Sequence, residues 1–153
     1  DRRRIIRAIE TASHGEKVSQ EREAEIAYDA VVFGLRMSRE KLYERINLRV
    51  DAMVREGLFE ETKSLLDMGV PIASQSMKSI GYKQVAQYYA GEFTRAEAID
   101  KVKQYTRNFA KRQITWYNKM PYIKWFDLEE YDTNYDQIVE DMYQILVKKY
   151  KLL

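Results

Sequence analysis

TRAEAIDKVKQYTRNFAKRQITWYN, Thr94 to Asn118, is the longest stretch of helical pattern in the chain, with no Gly or Pro inside it. At 1.5 Å per residue it predicts a helix of about 37 Å, the width of a small domain. Thr94 followed by Glu97 reads as a capping box and marks its start. Ile99, Val102, Thr106, Phe109, Gln113 and Trp116 recur at three- and four-residue steps and predict one buried stripe. Lys103, Arg107 and Lys111 form a second stripe, and Arg112 borders the apolar one from its other side. From Lys101 onward the helix carries five bases and no acid, whereas a solvated helix ordinarily alternates its signs.

The rest of the chain is read outward from this helix. Its 153 residues suffice for one domain with a core, and 33% of them are charged, a globular composition. The formal net charge is only +2, so a basic surface has to come from clustering. There is no cysteine, which excludes disulfides, thiolate metal sites and cysteine nucleophiles and suits a reducing, cytoplasmic setting. No apolar run reaches the length that spans a bilayer, so no membrane partner is expected. The chain opens on Asp1-Arg2-Arg3-Arg4 with no methionine, and reads as part of something longer. His14, the single histidine, stands beside Gly15 in a polar stretch and reads as a loop residue.

Arg2 to Ser13 reads as a short basic helix with Asp1 as its cap, Ile5, Ile6 and Ile9 on one side and Arg3, Arg4 and Arg7 on the other. Solvated surface arginines explain it; so does a phosphate contact, which guanidinium geometry suits. Residues 15–25 read as a polar loop. Ala27 to Leu35, AYDAVVFGL, is the best strand candidate. Its near-continuous apolarity predicts burial on both faces, as in a parallel sheet, and so predicts neighbours.

Ser38 to Glu56 predicts a helix capped by Ser38, with Lys41 where a capping box wants an acid. Leu42, Tyr43, Ile46, Val50, Met53 and Val54 form its expected core face. Arg45 and Arg49 stack one turn apart at its edge. They read either as snorkelling surface arginines or as a phosphate or diphosphate clamp. A second helix, Leu58 to Met68, closes before Gly69 and Pro71. In MKSIGYKQ, Met77 to Gln84, Ser79 or Gly81 opens a short helix to Ala90, with Lys78 and Lys83 flanking the glycine. Ile123 to Phe126 reads as a short strand, and Tyr135 to Tyr150 as a closing amphipathic helix with Ile138, Met142, Ile145 and Leu146 inward. Its terminal lysines, Lys148, Lys149 and Lys151, suit the helix dipole.

The sequence carries no P-loop, no His/Cys metal spacing and no G-x-S-x-G. On residues alone it is a mostly helical binding piece, basic and aromatic by turns. Tyr82, Tyr105, Trp116 and Tyr117 are available to stack bases or to fill a core.

Five segments, DRRRIIRAIE, YDAVVFGL, LYERINLRVDAMVREGLFEE, SIGYKQ and TRNFAKRQITWY, in that order, resemble the C-terminal half of the tRNA dimethylallyltransferase (tRNA isopentenyltransferase) family, from Asp1 to about Asp127. The resemblance implies an α/β, P-loop NTPase-like fold related to nucleotide kinases, of which this piece is mostly helical with one or two strands. It implies that residues 1–153 are the C-terminal part of the catalytic core. The P-loop, a general-base aspartate and a tRNA-inserting helical domain would lie in a missing N-terminal half. It implies transfer of a dimethylallyl group from dimethylallyl diphosphate to N6 of the adenosine 3′ of the anticodon, with the base flipped into a channel and Mg2+ held with the diphosphate at the P-loop.

Carried over residue by residue, the family's contacts with the tRNA anticodon stem-loop fall on three segments. Arg3, Arg4, Ile5, Ile6 and Arg7 match the first. Lys78, Ser79, Ile80, Gly81, Tyr82 and Lys83 match the second. Lys111, Arg112, Gln113, Ile114, Thr115, Trp116, Tyr117 and Asn118 match the third, where the family often has arginine in place of Asn118. Arg45 and Arg49 fall in the family's R-I-x-x-R stretch and are read as diphosphate-binding. No catalytic residue and no metal ligand is assigned to the chain, and the isolated piece is expected to be inactive. Two other readings stand beside this one: a non-enzymatic RNA-binding module, separated by the upstream sequence, and a helical protein-interaction domain, separated by salt-dependent RNA binding.

Overall fold

The computed structural model of the chain describes residues 2–13 and 28–152. The expected loop at 15–25, His14, the Asp1 cap and Ala27 lie outside the described residues. The described residues are mostly helical: α1 (Arg2–Ser13), β1 (Val32–Arg36), α2 (Arg39–Arg55), α3 (Leu58–Asp67), α4 (Tyr82–Tyr89), α5 (Arg95–Tyr117), β2 (Ile123–Asp127) and α6 (Tyr135–Tyr150), with a single 3₁₀ turn at Ser76–Lys78.

The two strands pair in parallel, Val32 opposite Ile123 through Arg36 opposite Asp127. Paired residues of parallel strands share a face. Phe33 and Phe126 meet edge to face at 5.7 Å. They join Leu128 and Ile138 in one core cluster, with Met37, Tyr131, Met142 and Ile145 packed against it. On the other face Gly34 lies under Trp125: a Cβ at position 34 would sit 2.6 Å from the indole ring and 2.9 Å from Ile123. The glycine is there for close approach of a neighbouring side chain. The strand is shorter than the sequence predicts. Its double-sided burial is absent among the described residues: Val32, Phe33 and Gly34 are half-buried and Leu35 is exposed.

The second cluster holds the helices together. Leu58 and Phe59 of α3, Val85 of α4 and Ala98 of α5 are its buried centre, with Met53, Val54, Tyr82, Tyr88, Phe93 and Ile99 around it. Full burial of such side chains stabilises by roughly 1.5–3 kcal/mol each. The buried hydroxyl of Thr62 donates to the Leu58 carbonyl at 2.7 Å, so its burial leaves no polar atom unsatisfied.

The capping box of α5 forms as predicted. The Glu97 amide donates to Thr94 Oγ1 at 3.2 Å, and the Thr94 amide donates to Glu97 Oε2 at 2.7 Å. The predicted buried stripe of α5 holds only for its first half. Val102 is buried and Ile99 and Thr106 are half-buried, but Phe109, Gln113 and Trp116 are exposed. The apolar core contacts of α5 with α3 and α4 are made at Ala98 and Ile99, in its first turns.

Candidate functional site

Helix α2 runs from the carboxyl end of β1, and its outer half looks across a gap at the last turns of α5. The gap is a cleft of about 760 Å³. Arg45, Ile46 and Arg49 line it from α2, Ile114 and Asn118 from α5, and Trp125 from β2. Arg36, Met37 and Leu128 close it at the carboxyl ends of the two parallel strands, where open α/β sheets bind ligands. Leu42 and Ile46, expected in the core, line this cleft instead.

The two cleft arginines are chemically available. Arg45 has one polar partner among the described residues, the Tyr135 hydroxyl at 3.4 Å. Arg49 has none. Two exposed guanidinium groups one helical turn apart, beside apolar walls, suit a dianion with a hydrocarbon tail. The cleft thus brings Arg45 and Arg49 together with two residues of the third expected tRNA segment.

That third segment is exposed on every side. Residues 111–119 are all solvent-accessible, with Trp116 58% and Ile114 41% exposed. Trp116 and Tyr117 meet edge to face at 4.8 Å. Asn108, Lys111, Arg112, Thr115, Trp116 and Lys119 line a shallow groove along this end of α5. The Lys111, Arg112 and Lys119 side chains have no acidic partner among the described residues, and Arg112 lies 5.8 Å from the Phe109 ring. An exposed surface that mixes unpaired bases with aromatic rings suits a single-stranded or looped nucleic acid.

The other bases of α5 are spent inside the fold. Lys101 stacks on Phe93 at 4.6 Å, Lys103 pairs with Asp51 at 2.6 Å, and Arg107 donates to Asn47 Oδ1 at 2.6 Å. The acid-free run is therefore not one basic face, because α2 partners Lys103 and Arg107 and the Phe93 ring partners Lys101.

The second expected segment is divided. Lys78, Ser79, Ile80 and Lys83 are exposed. Gly81 is buried and adopts φ +106°, ψ −77°, a backbone conformation that favours glycine. Its amide donates to the buried Gln84 side chain at 2.9 Å, so this amide caps α4 from within. Tyr82 packs on the helical core and its hydroxyl donates to Glu61 at 2.7 Å. That hydrogen bond, then burial, raises its pKa. Ser79 Oγ donates to the Ser76 carbonyl at 2.6 Å. Neither cleft nor groove is lined by residues 78–83.

For the first segment, Ile5, Ile6 and Arg7 are exposed on α1, and Arg3 and Arg4 lie on the same helix. Sequence reasoning missed Arg36, Met37, Trp125 and Leu128. The available signal is their position at or just past the ends of two apolar strands.

Among the described residues no group of three or more His, Cys, Asp or Glu side chains is placed to hold a metal ion. No described helix is long and apolar enough to cross a membrane.

Residues 1–120 match the protein family described as IPP transferase. The tRNA dimethylallyltransferase of Natranaerobius thermophilus is 40% identical over 153 residues, which is 98% of this chain and 46% of that protein. The crystal structure of the full-length tRNA isopentenylpyrophosphate transferase from Bacillus halodurans superposes with a TM-score of 0.76 at 38% identity, over 97% of this chain and 45% of that one. The tRNA delta(2)-isopentenylpyrophosphate transferase of Staphylococcus epidermidis gives a TM-score of 0.70 at 36% identity, over 94% of this chain and 49% of that one. The chain spans about half the length of the curated relatives it matches.

Proposed function

The chain belongs to the IPP transferase family, and from that premise we propose that it forms the C-terminal half of a tRNA dimethylallyltransferase. The whole enzyme moves a dimethylallyl group from dimethylallyl diphosphate to N6 of the adenosine 3′ of the anticodon in tRNA. The observation that carries this reading is the cleft in which Arg45 and Arg49 face the exposed end of α5.

In this reading Arg45 and Arg49 hold the diphosphate. Their charge also favours its departure, because negative charge grows on the leaving group as the C–O bond breaks. Ile46, Leu35 and Trp125 shelter the hydrocarbon part. Lys111, Arg112 and Lys119 meet RNA phosphates, and Trp116 and Tyr117 offer faces to unstacked bases. The solvent-facing groups of α1 and of Lys78, Ile80 and Lys83 extend the tRNA surface. The P-loop of an NTPase-like fold and the general-base aspartate are assigned to the N-terminal half. Mg2+, held with the diphosphate at the P-loop, is assigned to that half as well. In this reading the whole enzyme works in the cytoplasm.

The test is transfer of labelled dimethylallyl diphosphate to tRNA by the full-length protein, by its Arg49→Ala variant and by this chain alone. We expect transfer by the first. The second should have an apparent affinity for the diphosphate about 10–100-fold weaker, the worth of a hydrogen bond to a charged group, and unchanged tRNA binding. We expect none from the chain alone. No transfer by the full-length protein, or an Arg49→Ala defect confined to tRNA, overturns the reading.

A further inference from the structure

Helices α2 and α5 are joined by a polar ladder. Asp51 pairs with Lys103 at 2.6 Å, and one turn away Asn47 accepts from Arg107 at 2.6 Å. The partners are four residues apart on both helices and run in opposite directions, so the two rungs fix the antiparallel register as well as the distance. Lys103 is only 20% exposed, which screens this pair less than an ordinary surface one.

Among the described residues the ladder has these two rungs. A third rung, one turn further, would join Tyr43 to Lys111. Instead Tyr43 lies under the Arg39 guanidinium at 5.7 Å and Lys111 is exposed. Arg49 stands on α2 between the two rungs and Arg45 lies one turn nearer the start of the helix, and both line the cleft with Ile114 and Asn118 of α5. Among the described residues the Asn47–Arg107 bond is thus the polar link between the two helices that is nearest along α5 to Ile114 and Asn118. Asn47 lies between the two arginines in sequence, two residues from each, and its side chain is committed to α5.

We propose that Asn47 and Asp51 are positioning residues for the transfer reaction. They clamp α5 to α2 and so set the separation between the diphosphate-holding arginines and the RNA-facing end of α5. This rests on the function proposed above. In a two-substrate reaction each substrate binds its own wall, and the rate depends on the distance between the walls. A misplacement of about 1 Å can cost about 100-fold in rate. The signature is therefore a loss in kcat with both affinities kept.

The test uses the full-length protein with Asn47→Ala, Asn47→Asp and the exchange pair Asp51→Lys with Lys103→Asp. We measure kcat, the Kd of tRNA, the Kd of dimethylallyl diphosphate and the melting curve. Asn47→Ala should lower kcat by about 10–100-fold and move each Kd by less than about threefold. Asn47→Asp keeps an acceptor for Arg107 and should restore kcat to within about threefold of wild type. The exchange pair should retain more activity than Asp51→Lys alone. The proposal is overturned if Asn47→Ala leaves kcat within about twofold of wild type. It is also overturned if the loss in kcat equals the loss of folded protein and Asn47→Asp does not reverse it. An inactive wild type instead removes the functional reading itself.

Discussion

Glu129, just past β2, accepts a 2.7 Å hydrogen bond from the amide of Ser38, which opens α2. Its other carboxylate oxygen lies 3.4 Å from Lys41 Nζ. Ser38 makes no side-chain cap of its own, and Lys41 occupies the position where a local capping box wants an acid. A carboxylate 91 residues away takes that place and ties the carboxyl end of β2 to the start of the cleft helix.

Replacing Glu129 by Gln should lower the melting midpoint by about 2–4 °C at pH 7, the shift that one lost cap gives a domain of this size. Hydrogen bonding from Ser38, with help from Lys41, holds the Glu129 carboxyl below its ordinary value of 4.5. A depressed acid contributes stability above its unfolded pKa and loses it as pH falls through the folded one. The gap between wild type and variant should therefore close below pH 4.5. A constant gap down to acid pH would remove the ionic role of Glu129.

Gly34→Ala should destabilise the fold by about 1–3 kcal/mol, because the new methyl meets a rigid indole and not a flexible chain end. Adding Trp125→Leu should recover part of that loss despite removing a large ring. Chemical denaturation of the single and double variants checks it; strictly additive losses would contradict the contact.

For RNA binding, Trp116→Ala should weaken tRNA affinity by about 1–3 kcal/mol and leave the melting midpoint unchanged, since the side chain is 58% exposed. Trp125→Ala, in the half-buried sheet face, should do the reverse and lower the midpoint. Filter binding and a thermal melt separate the two tryptophans.

Arg112→Ala should weaken tRNA binding and flatten its salt dependence by about one ion, with diphosphate affinity kept. Lys63→Ala is the control, because Lys63 pairs with Asp67 on α3. Lys149 does not serve as one. It pairs with Asp29 at 2.6 Å and donates to the Ala30 carbonyl at 2.9 Å, an attachment of α6 to the entry of β1 that the helix dipole alone does not suggest. Equal weakening by Arg112→Ala and Lys63→Ala would detach the end of α5 from RNA.

Much of the secondary structure was legible because its signals are local. Thr94 and Glu97 lie three residues apart, and Gly57, Gly69 and Gly91 interrupt the pattern at helix ends. The periods of α5 and α6 place their bounds within a residue of those observed. The site was legible in part. Arg45 and Arg49 were visible as a pair, and the family resemblance marked the end of α5, but nothing local joined them.

Sequence alone therefore determined most of the elements, the Thr94–Glu97 capping box of α5 and the residue types chemically able to meet a diphosphate and an RNA. Tertiary structure decided which charges remain free. Arg107 has no acid within four residues, and neither do Lys111 and Arg112, yet Asn47 engages Arg107, as Asp51 engages Lys103, and leaves the others to solvent. It also decided that Leu42 and Ile46 line a cleft and that Glu129 caps α2. The physical reason is range. Capping and helical periodicity act over three or four residues, while ion pairing and burial depend on distance in space, which only the packed chain defines.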